Sequence, residues 1–197
     1  MTTIAILGTG NMGRGLAKRL TGKANLLIGS RAPEAGELSY ADAVAKADIV
    51  VLALPFDAAL AQATTLNLGG KIVVDISNPV TADFSGLTLG HTTSAAEEIQ
   101  KVAPNAKVVK AFNTIFASLF DAPANELAQL PVFVAGNDET AVNAVADVAR
   151  NAGFAVETAG KLDGARLLEP VGMLNIRFGY GLGRGTAIAP AWVKLAA

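Results

Sequence analysis

The chain of 197 residues contains no cysteine and a single histidine, His91. Without thiols it has no disulfide framework, no thiolate nucleophile and no cysteine-based metal site, and a reducing cytoplasm is the expected location. Long hydrophobic runs are missing as well. Although 51% of the residues are hydrophobic, the apolar runs are short, as in Ile49-Val50-Val51-Leu52-Ala53-Leu54, whereas a membrane span needs about 20 residues. Nor does charge of one sign dominate: 16 basic residues stand against 17 acidic ones. With no block of like charge, the electrostatic footprint of a nucleic-acid or anionic-membrane partner is missing. The first residues, MTTIAILG, carry no basic stretch and read as structure, not as a signal peptide. HExxH, GxSxG and a Walker-A lysine are absent too, and no metal is expected. His91 lies in a glycine-rich loop and reads as an ordinary loop residue.

What is present is a repeating alternation. Apolar, β-branched runs recur at Ile4–Leu7, Leu26–Ile28, Ile49–Leu54, Ile72–Ile76, Lys107–Ala111, Val132–Ala135 and Phe154–Val156. Runs without polar alternation suit strands buried on both faces. Helical patterns lie between them. Met12, Leu16 and Leu20 fall on one face, with Lys18 and Arg19 in the last turn and Gly22 just beyond it. Ser94 and Glu97 have capping-box spacing, and Asp138 opens a further helix with Gly153 past its end. The expected fold is α/β, a doubly wound, mainly parallel Rossmann-type sheet. Between Gly29 and Ile49 there is room for a loop and one short helix near Tyr40–Lys46, and not for a full extra strand and helix. After Gly160 the strand signal stops. Leu162–Phe178 reads as helix, with Leu167, Val171, Leu174 and Phe178 on one stripe and Pro170 expected to kink or restart it. The expected organisation is a dinucleotide-binding unit over 1–159 and a small C-terminal helical extension over 160–197 that completes a pocket or a dimer contact.

Gly8-Thr9-Gly10-Asn11-Met12-Gly13 follows the first strand and opens the first helix. In that setting the first glycine permits a tight turn, the second lets backbone approach a pyrophosphate, and the third lets the helix pack on the strand. The helix N-terminus then offers unpaired N–H groups and a partial positive charge to the phosphates. At the end of the second strand, where an acidic residue would bind the 2′-hydroxyl of NAD, the chain has Gly29-Ser30-Arg31. Ser30 can donate a hydrogen bond and Arg31 can make charge-assisted bonds to a 2′-phosphate, which favours NADP(H). Ligands of open α/β sheets lie beyond the carboxyl ends of the strands. Leu54, Pro55, Asn78 and Pro79 are therefore expected at the nicotinamide, and Phe56, Val80, Asn113 and Ile115 around an acceptor, with Phe112 and the Met173/Leu174 stripe contributing. Asn78 and Asn113 also fit as caps of following helices. The run Gly179–Gly185 follows a helix, so close packing, a helix end or a subunit contact fits it better than a second phosphate loop.

GTGNMGRGLA at 8–17, GSR at 29–31, ALPF at 53–56, SAAEEI at 94–99 and KAFNTI at 110–115 resemble the NADPH-dependent reductases of the 5-deazaflavin coenzyme F-420. The resemblance covers most of the chain. It implies a homodimeric enzyme that passes hydride between NADP(H) and a small-molecule acceptor, the deazaflavin, in an apolar pocket. It also implies that Thr9, Ser30 and Arg31 hold the 2′-phosphate, and that Asn113 and Ile115 lie near the nicotinamide and the acceptor ring. KAFNTI is similar as well to the cytoplasmic oxidoreductase domain of the membrane ferric reductases, which use NADPH and flavin, so FMN or FAD stands as the alternative acceptor. Two further readings remain open at this point: a small-substrate dehydrogenase of the 6-phosphogluconate or imine reductase type, and a non-catalytic NADP(H)-sensing module.

Overall fold

The computed structural model describes residues 1–193. Its elements follow in the order β1 (Thr3–Leu7), α1 (Asn11–Leu20), β2 (Asn25–Ser30), β3 (Leu38–Ser39), α2 (Tyr40–Lys46), β4 (Ile49–Leu52), α3 (Phe56–Thr65), β5 (Ile72–Asp75), α4 (Ala95–Val102) and β6 (Lys107–Lys110). Then come α5 (Ala124–Leu127), β7 (Pro131–Gly136), α6 (Glu139–Ala152), β8 (Ala155–Thr158) and α7 (Ala165–Ile176). The strands form one eight-stranded sheet in the order β3-β2-β1-β4-β5-β6-β7-β8. The chain winds outward from β1 through β2 and β3, then returns to place β4 on the other side of β1. The crevice for a ligand therefore opens between the ends of β1 and β4, where Leu7 and Leu52 are in register.

Side-chain alternation along the central strands builds two cores. Ile4 and Ile6 of β1 and Ile49 and Val51 of β4 point into one cluster, with Leu16 and Leu20 of α1 and the inner face of α6. Ala5, Leu7, Val50 and Leu52 point into the other, with residues of α2, α3 and α4. Both faces are covered, which is why these strands read as continuous apolar runs. The helix ends follow the sequence signals. Ser39, Ser94 and Asp138 accept from the backbone N–H groups of Asp42, Glu97 and Ala141, and Gly153 closes α6 in the left-handed region at φ 104°.

Three features depart from the expected pattern. A two-residue strand, β3, pairs with β2 at Gly29 and Ser30, so the short link before β4 does hold a rudimentary strand and helix. Two residues carry no period, which hid it from sequence reading. The β6–β7 pairing is antiparallel. Instead of a long crossover helix, the connection holds the single turn of α5 and a 3₁₀ turn, Ala117–Asp121, docked on α1: Arg19 donates to the carbonyls of Phe120 and Ala122, and a Cβ at Gly15 would meet the Phe120 ring at 2.4 Å. Finally, α7 runs without a break through Pro170, ending in a π turn at Arg177–Gly181. Its buried face is Ala165, Leu168, Glu169, Gly172 and Asn175, while Leu167 and Leu174 of the expected stripe are exposed. Small and polar residues face inward because that side meets buried hydrogen-bonding groups.

Candidate functional site

The three glycines of the first turn play three different parts. Gly8 has φ 117°, and a Cβ there would lie 2.3 Å from the Ala53 carbonyl oxygen. At Gly13 a Cβ would lie 2.1 Å from the carbonyl oxygen of Gly8, so α1 packs directly on the turn. Gly10 is different: a Cβ there meets nothing within 4 Å, and its φ of −73° suits any residue. The protein itself gives no reason for glycine at position 10, whereas a backbone that must lie against a phosphate does. No side chain caps α1 and no acidic residue stands in its first turn, so its leading N–H groups and positive dipole end suit a pyrophosphate.

Ser30 ends β2, and its hydroxyl donates to the Ala32 carbonyl at 3.1 Å and accepts from Ala32 N–H at 3.3 Å. Arg31 follows, exposed and without a salt bridge among the described residues. Tyr40 and Leu7 press on Gly29, where a Cβ would lie 2.6 Å from Leu7 and 3.2 Å from the Tyr40 ring. The chain is thereby held close to the sheet where Ser30 and Arg31 leave it.

A cleft of about 600 Å³ lies beyond the strand ends. It brings together Gly10, Asn11 and Met12 of α1, Leu54 and Pro55 after β4, Asn78 after β5, and Phe112, Asn113 and Ile115 after β6. Gly8, Thr9 and Gly13 sit behind it in the turn, and Ser30 and Arg31 stand at the end of β2. Pro79 is buried below Asn78. Phe56 and Val80 line neither this cleft nor the cavity beside it. Phe56 is the first residue of α3, and Val80 is drawn into an isolated bridge with Leu87. The walls that sequence reading missed come from the loop after Val80 (Phe84), from the connection after β6 (Phe116) and from the C-terminal segment (Gly172, Asn175, Ile176 and Tyr180). Phe84, Ile176 and Tyr180 also line a second cavity of about 710 Å³, with Met173, Arg177 and Leu182. Leu174 faces away from both.

Asn78 and Asn113 cap no helix; they bind each other. Asn78 Nδ2 donates to the Asn113 carbonyl at 2.7 Å, and Asn113 Nδ2 donates to Asn78 Oδ1 at 2.9 Å and to the Leu168 carbonyl at 2.8 Å. Gly172 of α7 is pressed against the pair, since a Cβ there would lie 2.7 Å from Asn78 Oδ1. Phe112, fully buried, adopts φ 58°. That conformation is strained for a bulky residue, and it turns the chain so that Asn113 enters the cleft. Phe84 is also left-handed, at φ 57°, and 62% exposed. It stands on a turn built by Asp83, whose carboxyl is lowered to about 2 by hydrogen bonds from Thr81 and Ser85. Behind the cleft lies a buried cluster of Lys110, Asp75 and Glu169. The only sequence sign of it was a charged residue at the ends of β5 and β6 and one in the C-terminal helix. The run Gly179–Gly185 closes the π turn: Gly185 N–H donates to the Gly179 carbonyl, and a Cβ at Gly179 would lie 2.6 Å from the Phe116 ring. Close packing and a helix end account for it.

A doubly wound sheet with a glycine turn at its switch point and an apolar cleft beyond it places the protein in the Rossmann class. The sequence model of a family described as "NADP oxidoreductase coenzyme F420-dependent" matches residues 3–79. An F420-dependent NADP reductase of Methanocaldococcus jannaschii is 32% identical over 202 residues, covering 88% of this chain and 90% of the relative. Metalloreductase STEAP3 of Rattus norvegicus is 31% identical over 179 residues, 85% of this chain but 36% of that protein. A crystal structure from Arthrobacter sp. FB24, described provisionally as an F420-dependent NADP reductase, superposes with a TM-score of 0.88 at 32% identity, covering 98% of this chain and 100% of that one. The chain belongs to the F420-dependent NADP reductase family and is an NADP(H)-dependent oxidoreductase. Among its described residues no helix is long and apolar enough to cross a membrane.

Proposed function

We propose that this protein transfers hydride between NADP(H) and a deazaflavin of the coenzyme F-420 type, acting as a cytoplasmic homodimer. The observation that carries this reading is the second apolar cavity, which shares Phe84, Ile176 and Tyr180 with the cleft at the strand ends. A protein that only bound a dinucleotide would have no use for it. In this reading the turn Gly8-Thr9-Gly10-Asn11-Met12-Gly13 holds the pyrophosphate through the N–H groups of α1, and Thr9, Ser30 and Arg31 hold the 2′-phosphate. Leu54, Pro55, Asn78 and Pro79 form the nicotinamide end, and Asn113 and Ile115 lie between nicotinamide and acceptor. Residues 1–159 are then the NADP-binding unit, and the segment from 160 completes the acceptor pocket; residues 194–197 of that segment lie outside the described residues.

Bound NADPH supplies a hydride. The residues of this chain contribute a dry, apolar enclosure and a fixed orientation, which together account for a large share of such a rate. Phe112, Ile115, Phe116 and Ile176 exclude water, and the locked Asn78–Asn113 pair gives the cleft floor one geometry. Asn113, together with the similarity to Metalloreductase STEAP3, favours FMN or FAD as the second reading of the acceptor. Stopped-flow mixing of NADPH-loaded protein with coenzyme F-420, FMN and FAD separates the two. The deazaflavin is expected to oxidise bound NADPH at least about tenfold faster than either flavin. Faster oxidation by FMN or FAD would establish the flavin reading, and no oxidation by any of the three would sink both.

The homodimer reading is supported by Leu167, Leu174, Trp192 and Val193, which are exposed on α7 and the segment after it. Exposed apolar side chains of this kind support an association face on α7 and the segment after it. Sedimentation velocity is expected to show a dimer, and Leu167→Glu with Leu174→Glu is expected to shift it to monomer. A monomeric parent at micromolar concentration would contradict the dimer.

A further inference from the structure

Lys110 is fully buried at the end of β6, and its ammonium reaches three oxygens: Asp75 Oδ2 at 2.7 Å, Glu169 Oε1 at 2.7 Å and the Ser77 carbonyl at 2.6 Å. Asp75 Oδ1 accepts from Ser77 N–H at 2.9 Å, and Glu169 Oε2 accepts from Ala95 N–H at 3.0 Å at the start of α4. One cation stands between two carboxylates. Burial pushes the Glu169 carboxyl above its ordinary value, while Lys110 and the Ala95 N–H act in the opposite direction. None of the three side chains lines either cavity. What they join is the frame of the cleft. Asp75 and Ser77 lead into Asn78; Lys110 leads through the strained Phe112 into Asn113; Glu169 follows Leu168, whose carbonyl receives Asn113 Nδ2.

A buried ion cluster adds little net stability, because desolvation offsets the attraction, and an apolar set of similar volume often serves the fold as well or better. An apolar set has no directional bonds, however, and leaves strand ends free to shift by fractions of an ångström. The ion cluster admits one arrangement. We propose that Lys110, Asp75 and Glu169 are positioning residues for hydride transfer, holding the Asn78–Asn113 pair and α7 at the separation that aligns nicotinamide and acceptor. This rests on the placement of the nicotinamide at that pair.

The test uses two variants, Glu169→Gln and the apolar triple Lys110→Met, Asp75→Leu, Glu169→Leu. For each, the melting temperature, the NADPH dissociation constant, the emission of bound nicotinamide and the single-turnover rate with the deazaflavin are measured. Both are expected to bind NADPH within about threefold of the parent, because the turn at Gly8–Gly13 and Arg31 are untouched. Nicotinamide emission is expected to move toward that of free NADPH, and the rate to fall about 30- to 100-fold. The triple variant is expected to fold but to melt below the parent, because the Ser77 N–H and carbonyl and the Ala95 N–H lose their partners. Parental emission and rate in either folded variant would overturn the proposal. Loss of the fold in both would overturn it too, making the cluster a stability element only. A parent that fails to bind NADPH or to pass hydride would instead overturn the functional reading itself.

Discussion

Replacing Gly10 with valine is expected to weaken NADPH binding by at least about 100-fold, the equivalent of about 3 kcal/mol, and to leave the melting temperature unchanged. The two halves of that result have separate causes. A Cβ at position 10 meets no protein atom within 4 Å, and the backbone there has an ordinary negative φ, so the substitution strains no backbone and its first carbon meets no clash. In the proposed function, the space it fills is where the pyrophosphate approaches the uncapped N-terminus of α1. Hydrogen bonds to a charged group are worth about 1.5–3 kcal/mol each, and two of them would be lost. Valine at Gly13 gives the contrasting outcome, a lower melting temperature, because its Cβ would collide with the Gly8 carbonyl. Isothermal titration of NADPH and a thermal melt of each variant check both statements. NADPH affinity retained in Gly10→Val would remove the phosphate assignment of the turn.

Arg31→Asp is expected to lower the preference for NADPH over NADH by about 100-fold or more, through the loss of a charge-assisted bond and the addition of a repelling carboxylate. Arg31 is exposed and makes no salt bridge among the described residues, so the substitution leaves no buried group unpaired and costs the fold little. NADH binding is expected to change far less, since a 2′-hydroxyl carries no charge. Equal losses for both dinucleotides, measured by titration at fixed ionic strength, would assign Arg31 to the pyrophosphate or to neither.

The parts of the site legible from sequence were those built by local rules. A glycine turn between a strand and a helix needs only the neighbouring residues to be understood; the structure gives Gly8 and Gly13 distinct physical reasons and leaves Gly10 without one inside the protein. The ends of the strands could be counted, and Leu54, Pro55, Asn78, Asn113 and Ile115 all line the cleft beyond them. Phe56 and Val80 line neither cavity, because proximity in sequence to a strand end does not say which way a side chain leaves it. The walls contributed by Gly172, Ile176 and Tyr180 depend on how the C-terminal helix docks, and that of Phe84 on the turn formed by Thr81, Asp83 and Ser85. Its docking face was hidden because it is small and polar: Gly172 and Glu169 turn inward, while Leu167 and Leu174, which an apolar stripe would bury, turn outward. Lys110, Asp75 and Glu169 are far apart in sequence, and no period connects them. The antiparallel β7 escaped notice for a related reason, since strand direction is set by the connection, and the docking of the Ala117–Asp121 turn on α1 is a tertiary contact.

Direct hydride transfer from NADPH to the deazaflavin, as proposed, is tested most directly by following the atom itself. NADPH deuterated at the transferring position of nicotinamide C4 is reacted with the deazaflavin in ordinary water, and the reduced acceptor is weighed by mass spectrometry. The hydride lands on a carbon of the deazaflavin ring, where it does not exchange with solvent. One deuterium retained per molecule of reduced acceptor is the expected result. Reduced acceptor that carries no deuterium with either C4 epimer of the labelled NADPH would show that the hydrogen comes from water and would contradict the account.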